Sequence, residues 1–290
     1  MLFGGEAGFG GAGLNDTWTF DRTTWKQLSI SKPPSARYGA SMSTLGSEIV
    51  LFGGYSTSDG ASSGDQNDTW TFGGASWTQL TVKSPPPARD SAGMATLGSD
   101  IVLFGGDVAA SILAFDDTWI FQGATWSQLT ISDPPSDRFG VGMSTLASQI
   151  VLFGGSSGDG PILNDAWTFN GTNWTTTAGE PPALEGVCMA TLGNKVVLFG
   201  GYDGTKVWNV TWTFDGTNWL QPAITASPPA RQYANMATLG STIVLFGGNT
   251  GPNGGTDLND TWTFDGKNWA QVSVTNPPPA RDSASMALLP

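Results

Sequence analysis

The sequence predicts an all-β fold, a six-bladed β-propeller built from four-stranded antiparallel blades. Three observations support this prediction. A short apolar run that ends in two glycines, as in residues 49–54 (Ile-Val-Leu-Phe-Gly-Gly), recurs along the chain. Two tryptophans seven residues apart follow each copy of this run. The two ends of the chain carry complementary parts of a single repeat.

The spacing of the repeat distinguishes blades from other repeat architectures. Successive Phe-Gly-Gly units are 46 to 52 residues apart. A period of about 40–50 residues, made of strands and turns, is typical of propeller blades rather than of a helical solenoid. The composition agrees, because 40 glycines and only 12% charged residues favour short strands joined by tight turns. The phenylalanine stands at positions 3, 52, 104, 153, 199 and 246.

Each repeat contains four strand-like segments, as the second repeat illustrates. We expect strands over 90–97, 101–104, 118–121 and 126–131, because small, β-branched or aromatic residues alternate there between turn residues. The Pro-rich run 134–138 follows the fourth strand. It must lie outside the sheet, since proline cannot donate to a strand ladder.

The recurring tryptophans are candidates for the space between blades. A buried tryptophan removes on the order of 200 Å² from water, and a four-stranded blade cannot cover both of its faces alone. We therefore expect the indoles and the methionines equivalent to Met94 to fill the gaps between stacked blades. The tryptophans are 18, 70, 119, 167, 212 and 262 in the third strands and 25, 77, 126, 174, 219 and 269 in the fourth.

The chain ends predict how the ring closes. The chain begins in a second strand and ends in a first strand, so pairing 283–289 with 1–3 completes one blade from both termini and removes an open edge. The chain then forms one domain. Its blades are 281–290 with 1–30, 37–82, 89–131, 138–177, 184–224 and 231–274.

Composition narrows the functional classes. The formal net charge of −12 makes nucleic acid an unlikely partner, because phosphates would be repelled. No apolar stretch approaches the 18 residues of a membrane span, and Met1 leads directly into a strand, so we expect neither membrane insertion nor a signal peptide. We expect a soluble monomer, extracellular or part of a longer protein. The single cysteine, Cys188, is interpreted as a buried, unreactive thiol.

The double glycine, the Asn-Asp-x-Trp element and the second tryptophan resemble the kelch repeat, and all six units match. The resemblance implies a six-bladed propeller whose first strands line a central channel. Kelch propellers include galactose oxidase, sialic-acid mutarotases, plant specifier proteins and many non-catalytic adaptors. The copper and iron sites of the first and third groups use histidine, and this chain has none. We therefore expect no metal, no cofactor and no catalytic residues.

The loops that follow the double glycines are the expected place for recognition. They emerge on the same face as the Pro-rich loops, and variable loops on a rigid ring commonly carry binding residues. These loops span 6–14, 55–66, 107–115, 156–163, 202–208 and 249–258.

An arginine recurs five residues before the methionine of the first strand, with Leu184 in its place in one blade. Such guanidinium groups could bind a carboxylate or phosphate through paired hydrogen bonds. Alternatively, they hold the Pro-rich loop or an adjacent blade in place. The arginines are Arg37, Arg89, Arg138, Arg231 and Arg281.

The position after the arginine varies and forms the second part of the predicted site. If it faces the mouth of the ring, aromatic rings, carboxylates and an amide would converge on a sugar or a polar peptide. Ordinary loop variation is the alternative. The residues are Tyr38, Asp90, Phe139, Glu185, Gln232 and Asp282.

The Asn-Asp pairs before the third strands, such as Asn67-Asp68, resemble acidic ligands. We interpret them instead as turn residues that bond nearby backbone. In one blade Val210 replaces the aspartate, which suits a dispensable role.

These observations predict a non-catalytic binding module for a carbohydrate, peptide or protein partner on the loop-rich face. One alternative is a carbohydrate enzyme of the mutarotase type, with Glu185 or Asp90 beside an arginine as its acid–base group. Another is a pure scaffold, natural or engineered, which the close similarity of the repeats would suit.

Overall fold

The computed structural model describes residues 1–8, 10–58, 63–109, 113–158, 160–177, 181–252 and 255–290. Parts of five of the six post-glycine loops lie outside the described residues. Within the described ranges the chain forms six four-stranded antiparallel sheets, which are the six predicted blades of a β-propeller. A three-stranded and a two-stranded sheet accompany them.

The inner strand of each blade lines the central axis, and the second strand lies beside it. Inner strands span Ser285–Met286, Ser41–Leu45, Gly93–Leu97, Gly142–Leu146, Cys188–Leu192 and Asn235–Leu239. Second strands span Leu2–Phe3, Glu48–Phe52, Asp100–Phe104, Gln149–Phe153, Lys195–Phe199 and Thr242–Phe246. The apolar residues of the second strands are 0–3% exposed because neighbouring blades cover both of their faces.

The third and outer strands complete each blade. Third strands span Thr17–Phe20, Thr69–Phe72, Thr118–Phe121, Ala166–Phe169, Thr211–Phe214 and Thr261–Phe264. Outer strands span Trp25–Leu28, Trp77–Leu80, Trp126–Leu129, Trp174–Thr177, Trp219–Leu220 and Trp269–Val272. Short strands at the loop-rich face are Glu6–Ala7 with Ala12–Gly13, and Arg37–Tyr38 with Tyr55–Ser56 and Gly64–Asp65.

The outer-strand tryptophans join neighbouring blades, as the sequence predicted. Trp126, for example, packs at 5.1 Å between ring centroids on Phe52 of the preceding blade. Its Nε1 donates a hydrogen bond of 3.0 Å to Thr69 Oγ1 of the same neighbour. The ring contact recurs at all six blade interfaces, at 5.1–5.4 Å. Each interface is therefore closed by the same aromatic pair.

The termini close the ring. Leu2 pairs with Met286 and Phe3 with Ser285, which confirms the predicted shared blade. The amino group of Met1 is buried and donates a 2.7 Å hydrogen bond to the carbonyl oxygen of Ala287. Burial lowers the pKa of this amino group to about 5. The paired segment is shorter than predicted, since the ladder holds only two residues of the final strand.

The inner strands begin later than predicted. The second repeat was expected to form a strand from position 90, but the strand starts at Gly93 because Ser91 has a positive φ of 53°. The equivalent residue of every blade shares this left-handed conformation. Each donates its N–H to the carbonyl of its counterpart in the preceding blade, at 2.7–3.1 Å, and the six bonds close a circle. The residues of this backbone circle are Gly39, Ser91, Gly140, Gly186, Tyr233 and Ser283.

Candidate functional site

The recurring arginines lie inside the blades rather than at the mouth. Arg89 is 1% exposed and forms a paired ion bridge with Asp117, at 2.5 and 2.8 Å. It also donates to the carbonyl oxygens of Gly105 (2.8 Å) and Pro87 (3.1 Å). The arginine therefore ties the Pro-rich loop to the double glycine and to the start of the third strand.

The same arrangement recurs, and it corrects the expectation that the arginines face a ligand. All five arginines are buried, and each guanidinium donates hydrogen bonds to an aspartate and to backbone carbonyl oxygens within the protein. They hold the loops in place, which was the alternative interpretation. The ion pairs, which we call the belt pairs, are Arg37–Asp68, Arg89–Asp117, Arg138–Asp165, Arg231–Asp260 and Arg281–Asp16.

The aspartates of the Asn-Asp elements are structural, but their partners differ from those expected. Asp117 accepts hydrogen bonds from Arg89 and, at 2.7 Å, from Nε1 of Trp119, rather than from nearby backbone alone. Burial opposes ionisation of Asp16, Asp165 and Asp260, yet the arginine and the indole hold the pKa of each below its ordinary value. At these three positions the belt pair thus stabilises the charged form of the aspartate.

The blade over 184–224 shows that the belt pair is replaced as a unit. Leu184 stands in place of the arginine and Val210 in place of the aspartate, and both pack in one apolar cluster. Among the described residues, Nε1 of Trp212 is buried without a hydrogen-bond partner, because the carboxylate that accepts from it elsewhere is absent. The sequence contains both substitutions, and their occurrence in one blade was the signal that the two positions interact.

The variable position after each arginine pairs with the first residue after the double glycine. Five of these six contacts, such as that between Asp90 and Asp107, are isolated β-bridges in which each residue bonds the other's backbone. We call the six contacts the mouth pairs, because they surround the backbone circle on its outer side. They are Asp282–Glu6, Tyr38–Tyr55, Asp90–Asp107, Phe139–Ser156, Glu185–Tyr202 and Gln232–Asn249.

Asp90 and Asp107 form one like-charged mouth pair. Asp90 is 6% exposed, and its Oδ1 accepts a 2.6 Å hydrogen bond from Oγ of Ser91. Burial, followed by repulsion from Asp107 and Asp65, raises the pKa of Asp90 far above its ordinary value. Burial and the charge of Asp65 also raise the pKa of Asp107. These carboxyls have no cationic partner among the ion pairs of the described chain.

Asp282 and Glu6 form the second like-charged pair. Asp257 lies beside them and accepts hydrogen bonds from the backbone N–H of Gly8 (2.5 Å) and from Nδ2 of Asn249 (2.6 Å). Burial, together with repulsion from Asp257 and Glu6, raises the pKa of Asp282 to about 7. Burial also raises the pKa of Glu6. The mouth therefore concentrates carboxyls that are costly to ionise.

Tyr233 places a phenol over the axis, a residue that the sequence analysis missed. Its φ of 51° is unusual for a bulky residue, and three of its counterparts are glycine. A Cβ atom at Gly186 would lie 3.1 Å from its ring, and one at Gly140 would lie 3.4 Å from its hydroxyl. The side chain thus reaches across two neighbouring blades. Burial, and then the charges of Glu185, Asp107, Asp282 and Asp90, raise the pKa of its hydroxyl.

The remaining mouth residues add aromatic faces and an amide. Tyr38 and Tyr55 stack at 5.3 Å between ring centroids. Phe139 is half-buried. Gln232 is 8% exposed, and its Oε1 has no hydrogen-bond partner in the described part of the chain. The structure thus brings all six predicted variable positions to one face.

Two cavities lie along the axis. The first, of about 180 Å³, lies between the backbone circle and a ring of methionines, and the second, of about 350 Å³, lies beyond that ring. Cys188 borders the first cavity, but burial raises its thiol pKa to about 12. Within the described ranges, no three acidic, cysteine or histidine side chains converge as metal ligands. The methionines are Met42, Met94, Met143, Met189, Met236 and Met286.

The acidic residues missed by the sequence analysis were visible in the aligned repeats. Glu6 and Asp107 each follow a double glycine directly, at the position that bridges to the variable residue. Tyr233 stands where other blades have glycine or serine. Asp65 and Asp257 carried no such signal, because they lie within loops of unequal length.

Comparison with known proteins agrees with this architecture. A family model described as the KLHDC2/KLHL20/DRC7 Kelch-repeats domain matches residues 1–132 and 95–290. The chain is also 31% identical over 126 residues to Adagio-like protein 1 of Oryza sativa subsp. japonica. That match covers 40% of this chain and 19% of the relative, so the two share one region rather than their whole length. No helix in the described residues has the length and apolar character that crossing a membrane requires. The six blades, the double glycines and the match along the whole chain show that this protein belongs to the kelch-repeat family.

Proposed function

We propose that this domain is a non-catalytic interaction module that binds a peptide or protein partner at the mouth of its loop-rich face. Kelch-repeat domains are generally protein-interaction modules. The observation that carries the proposal is the contrast between satisfied and unsatisfied groups at this face. Each belt arginine is paired with an aspartate. At the mouth, by contrast, oxygens of Asp65, Asp107 and Gln232 are buried without a donor among the described residues, and the aromatic residues Tyr38 and Phe139 are only half-buried.

The scaffold beneath the mouth is suited to recognition. The backbone circle fixes the position of every mouth pair relative to its neighbours. The belt pairs hold the loops that carry these residues, so little ordering entropy is lost when a partner binds. Partly exposed aromatic residues such as Tyr38 and Phe139 are common anchors in protein interfaces.

On the opposite face, four of the six turns between third and outer strands, all of which the structure describes, are closed by a side chain of the turn itself. In one of them, Asp215 Oδ1 accepts hydrogen bonds of 2.9 Å from the N–H groups of Thr217 and Asn218. Asn170 caps the equivalent turn in the same way. The polar groups of these turns are satisfied internally, which favours the loop-rich face as the binding surface.

Selection of ligands tests this proposal. A displayed random-peptide library and a glycan array would be screened against the purified chain. We expect peptides to be enriched whose binding falls at least tenfold in Tyr38→Ala and in Phe139→Ala, while Asp215→Asn on the opposite face changes it less than twofold. Ligands that bind all three variants equally would refute the mouth as the binding surface. Enrichment on the glycan array alone would assign the site to carbohydrate instead.

One observation favours a second candidate, a carbohydrate enzyme of the mutarotase type. The carboxyl of Asp282 has its pKa raised to about 7, which suits a general acid–base group at neutral pH. NMR measurement of anomeric exchange in free sugars tests this candidate. It predicts exchange above the uncatalysed rate that Asp282→Asn abolishes, and exchange at the uncatalysed rate would exclude it for the sugars measured.

A further inference from the structure

We infer that the mouth accepts a cationic side chain, a lysine ammonium or an arginine guanidinium, from a basic segment of the partner. This inference rests on the proposed function and names the chemistry of its ligand. It follows from the arrangement of charge, from buried oxygen atoms that lack donors, and from the conformation of Tyr233.

The first argument is the arrangement of charge. Four carboxyls act electrostatically on the Tyr233 hydroxyl: Glu185, Asp107, Asp282 and Asp90, which come from three different blades. The ion pairs of the described residues all belong to the belt, so none of them neutralises this group. A cation placed among these carboxyls favours their charged forms and is attracted to them in turn, most strongly where water is partly excluded.

The second argument is independent of charge and concerns hydrogen bonding. Gln232 is more than nine-tenths buried, and its unpaired atom is the acceptor oxygen Oε1. Gln232 is equivalent by position in the repeat to Asp90 and Asp282, so it is also a mouth residue. Oδ1 atoms of Asp65 and Asp107 also lack partners. Unsatisfied oxygen acceptors call for a donor, and ammonium and guanidinium groups carry three and five N–H donors.

The third argument is that the mouth is energetically unfavourable without a ligand. Like charges directly opposite each other, as in Asp90–Asp107 and Glu6–Asp282, destabilise a strand pair. Tyr233 adds backbone strain at a position where Gly39 and Gly140 fit without it. A bound cation offsets the repulsion and uses the phenol ring as a neighbouring aromatic face.

The surroundings of the mouth suit a cationic side chain. Aromatic faces suited to a cation are close by, and the protein itself seats Lys206 Nζ 3.9 Å from the ring centroid of Trp208 at this face. The stacked Tyr38–Tyr55 pair offers a similar surface to the rest of a peptide.

Blocked pentapeptides of the form acetyl-Gly-Gly-X-Gly-Gly-amide, with X as lysine, arginine, norleucine or glutamate, test the inference by NMR titration at pH 7.5. We expect lysine and arginine peptides to shift the amide resonances of Asp90, Tyr233 and Asp282 and to weaken at higher salt. Norleucine and glutamate peptides should leave these resonances unchanged. Equal binding of the norleucine peptide, or shifts spread evenly over the acidic surface, would overturn the inference.

Neutralising variants locate the site. Asp90→Asn and Asp282→Asn should each weaken binding of the lysine peptide at least tenfold. Asp215→Asn removes the same charge from the opposite face and should change binding less than twofold, since Asn170 already serves the equivalent turn. Unchanged affinity in both mouth variants would refute the site. If either variant fails to fold, Glu6→Gln at the half-buried partner position replaces it, with the same expected loss and the same refuting outcome.

A further titration distinguishes a cationic side chain of a peptide from a free amine. n-Butylammonium carries the same charged group without a peptide, and tighter binding of it than of the lysine peptide would overturn a peptide source in favour of a free amine. Different results would refute the cationic ligand and the proposed function. If selected peptides lose binding in Tyr38→Ala and Phe139→Ala but the lysine and arginine peptides do not bind, the interaction module stands and the cationic ligand is wrong.

Discussion

Aspartates occur both in the belt pairs and in the mouth pairs, but their electrostatic environments are opposite. At the belt, Asp16 faces the buried guanidinium of Arg281 and the indole N–H of Trp18, which favour its charged form against the effect of burial. At the mouth, Asp90 faces Asp107, and both burial and repulsion disfavour the charged form. The comparison teaches that charge alone does not mark a binding site. Carboxyls that the fold has already neutralised stabilise the blades, and those it leaves unpaired can bind a partner.

The blade over 184–224 sharpens the comparison, because it dispenses with the belt pair and still folds. Leu184 and Val210 fill the same space with apolar contacts. A buried ion pair can often be replaced by apolar residues at little cost, whereas removing one partner leaves an uncompensated charge. The belt is therefore one of two equivalent solutions for holding a loop.

Breaking a belt pair has the largest expected effect. Asp117→Val leaves the Arg89 guanidinium buried without its carboxylate and removes the acceptor of Trp119. We expect the free energy of unfolding to fall by about 3–5 kcal/mol. Denaturant unfolding of the variant and of the parent protein measures the difference.

The double variant Arg89→Leu with Asp117→Val recreates the apolar pair found in the blade over 184–224. We expect it to recover more than half of the stability lost by Asp117→Val alone, because no unpaired charge remains. A double variant that is as unstable as the single one would contradict the view that the two pairs are interchangeable.

Neutralising Asp282 at the mouth should increase the free energy of unfolding, by less than breaking a belt pair decreases it. Its folded pKa of about 7 lies above its ordinary value of 3.8, so the folded protein binds more protons than the unfolded chain between these values. Stability contributed by this group is therefore lost as pH rises from about 4 to about 7. We expect Asp282→Asn to raise the free energy of unfolding by about 1–2 kcal/mol at pH 8.

Thermal unfolding from pH 4 to pH 8 checks this prediction. The difference in Tm between Asp282→Asn and the parent should grow through this range and then level off. The belt acts in a different window, because the lowered pKa of Asp16 contributes stability that is lost only as pH falls through and below about 4. A difference in Tm that does not change between pH 4 and pH 8 would show that Asp282 is not the titrating group.

The smallest expected change in stability comes from restoring a hydroxyl group at position 166. Trp219 Nε1 is buried without an acceptor in the described structure, because Ala166 stands where the other blades have threonine. Ala166→Thr should supply the acceptor that Thr69 gives Trp126 and raise the free energy of unfolding by about 0.5–1.5 kcal/mol. Ala166→Val is the control, because the valine side chain has nearly the shape of threonine but lacks the hydroxyl. If valine stabilises as much as threonine, packing rather than the hydrogen bond explains the gain.

Much of the molecule could be predicted from its sequence because the relevant signals are local and repeated. The apolar run before each double glycine predicts a buried strand, and six copies predict six blades. The variable positions from Tyr38 to Asp282 were also identified from the repeat, and they do meet at one face. For the arginines the sequence left two roles open, ligand binding and loop anchoring, because a guanidinium beside a loop looks the same in sequence whether it faces solvent or a carboxylate.

The sequence by itself determined the blade, its period and the closure of the ring, since strand patterns and turn residues act over a few neighbouring positions. Only the tertiary structure decided which charges are paired. Arg281 meets Asp16 across 265 residues of chain, and Asp282 meets Glu6 only because the termini share a blade. The physical reason is that the energy of a carboxylate depends on burial and on the sign of its neighbours in space. Folding alone sets both of these.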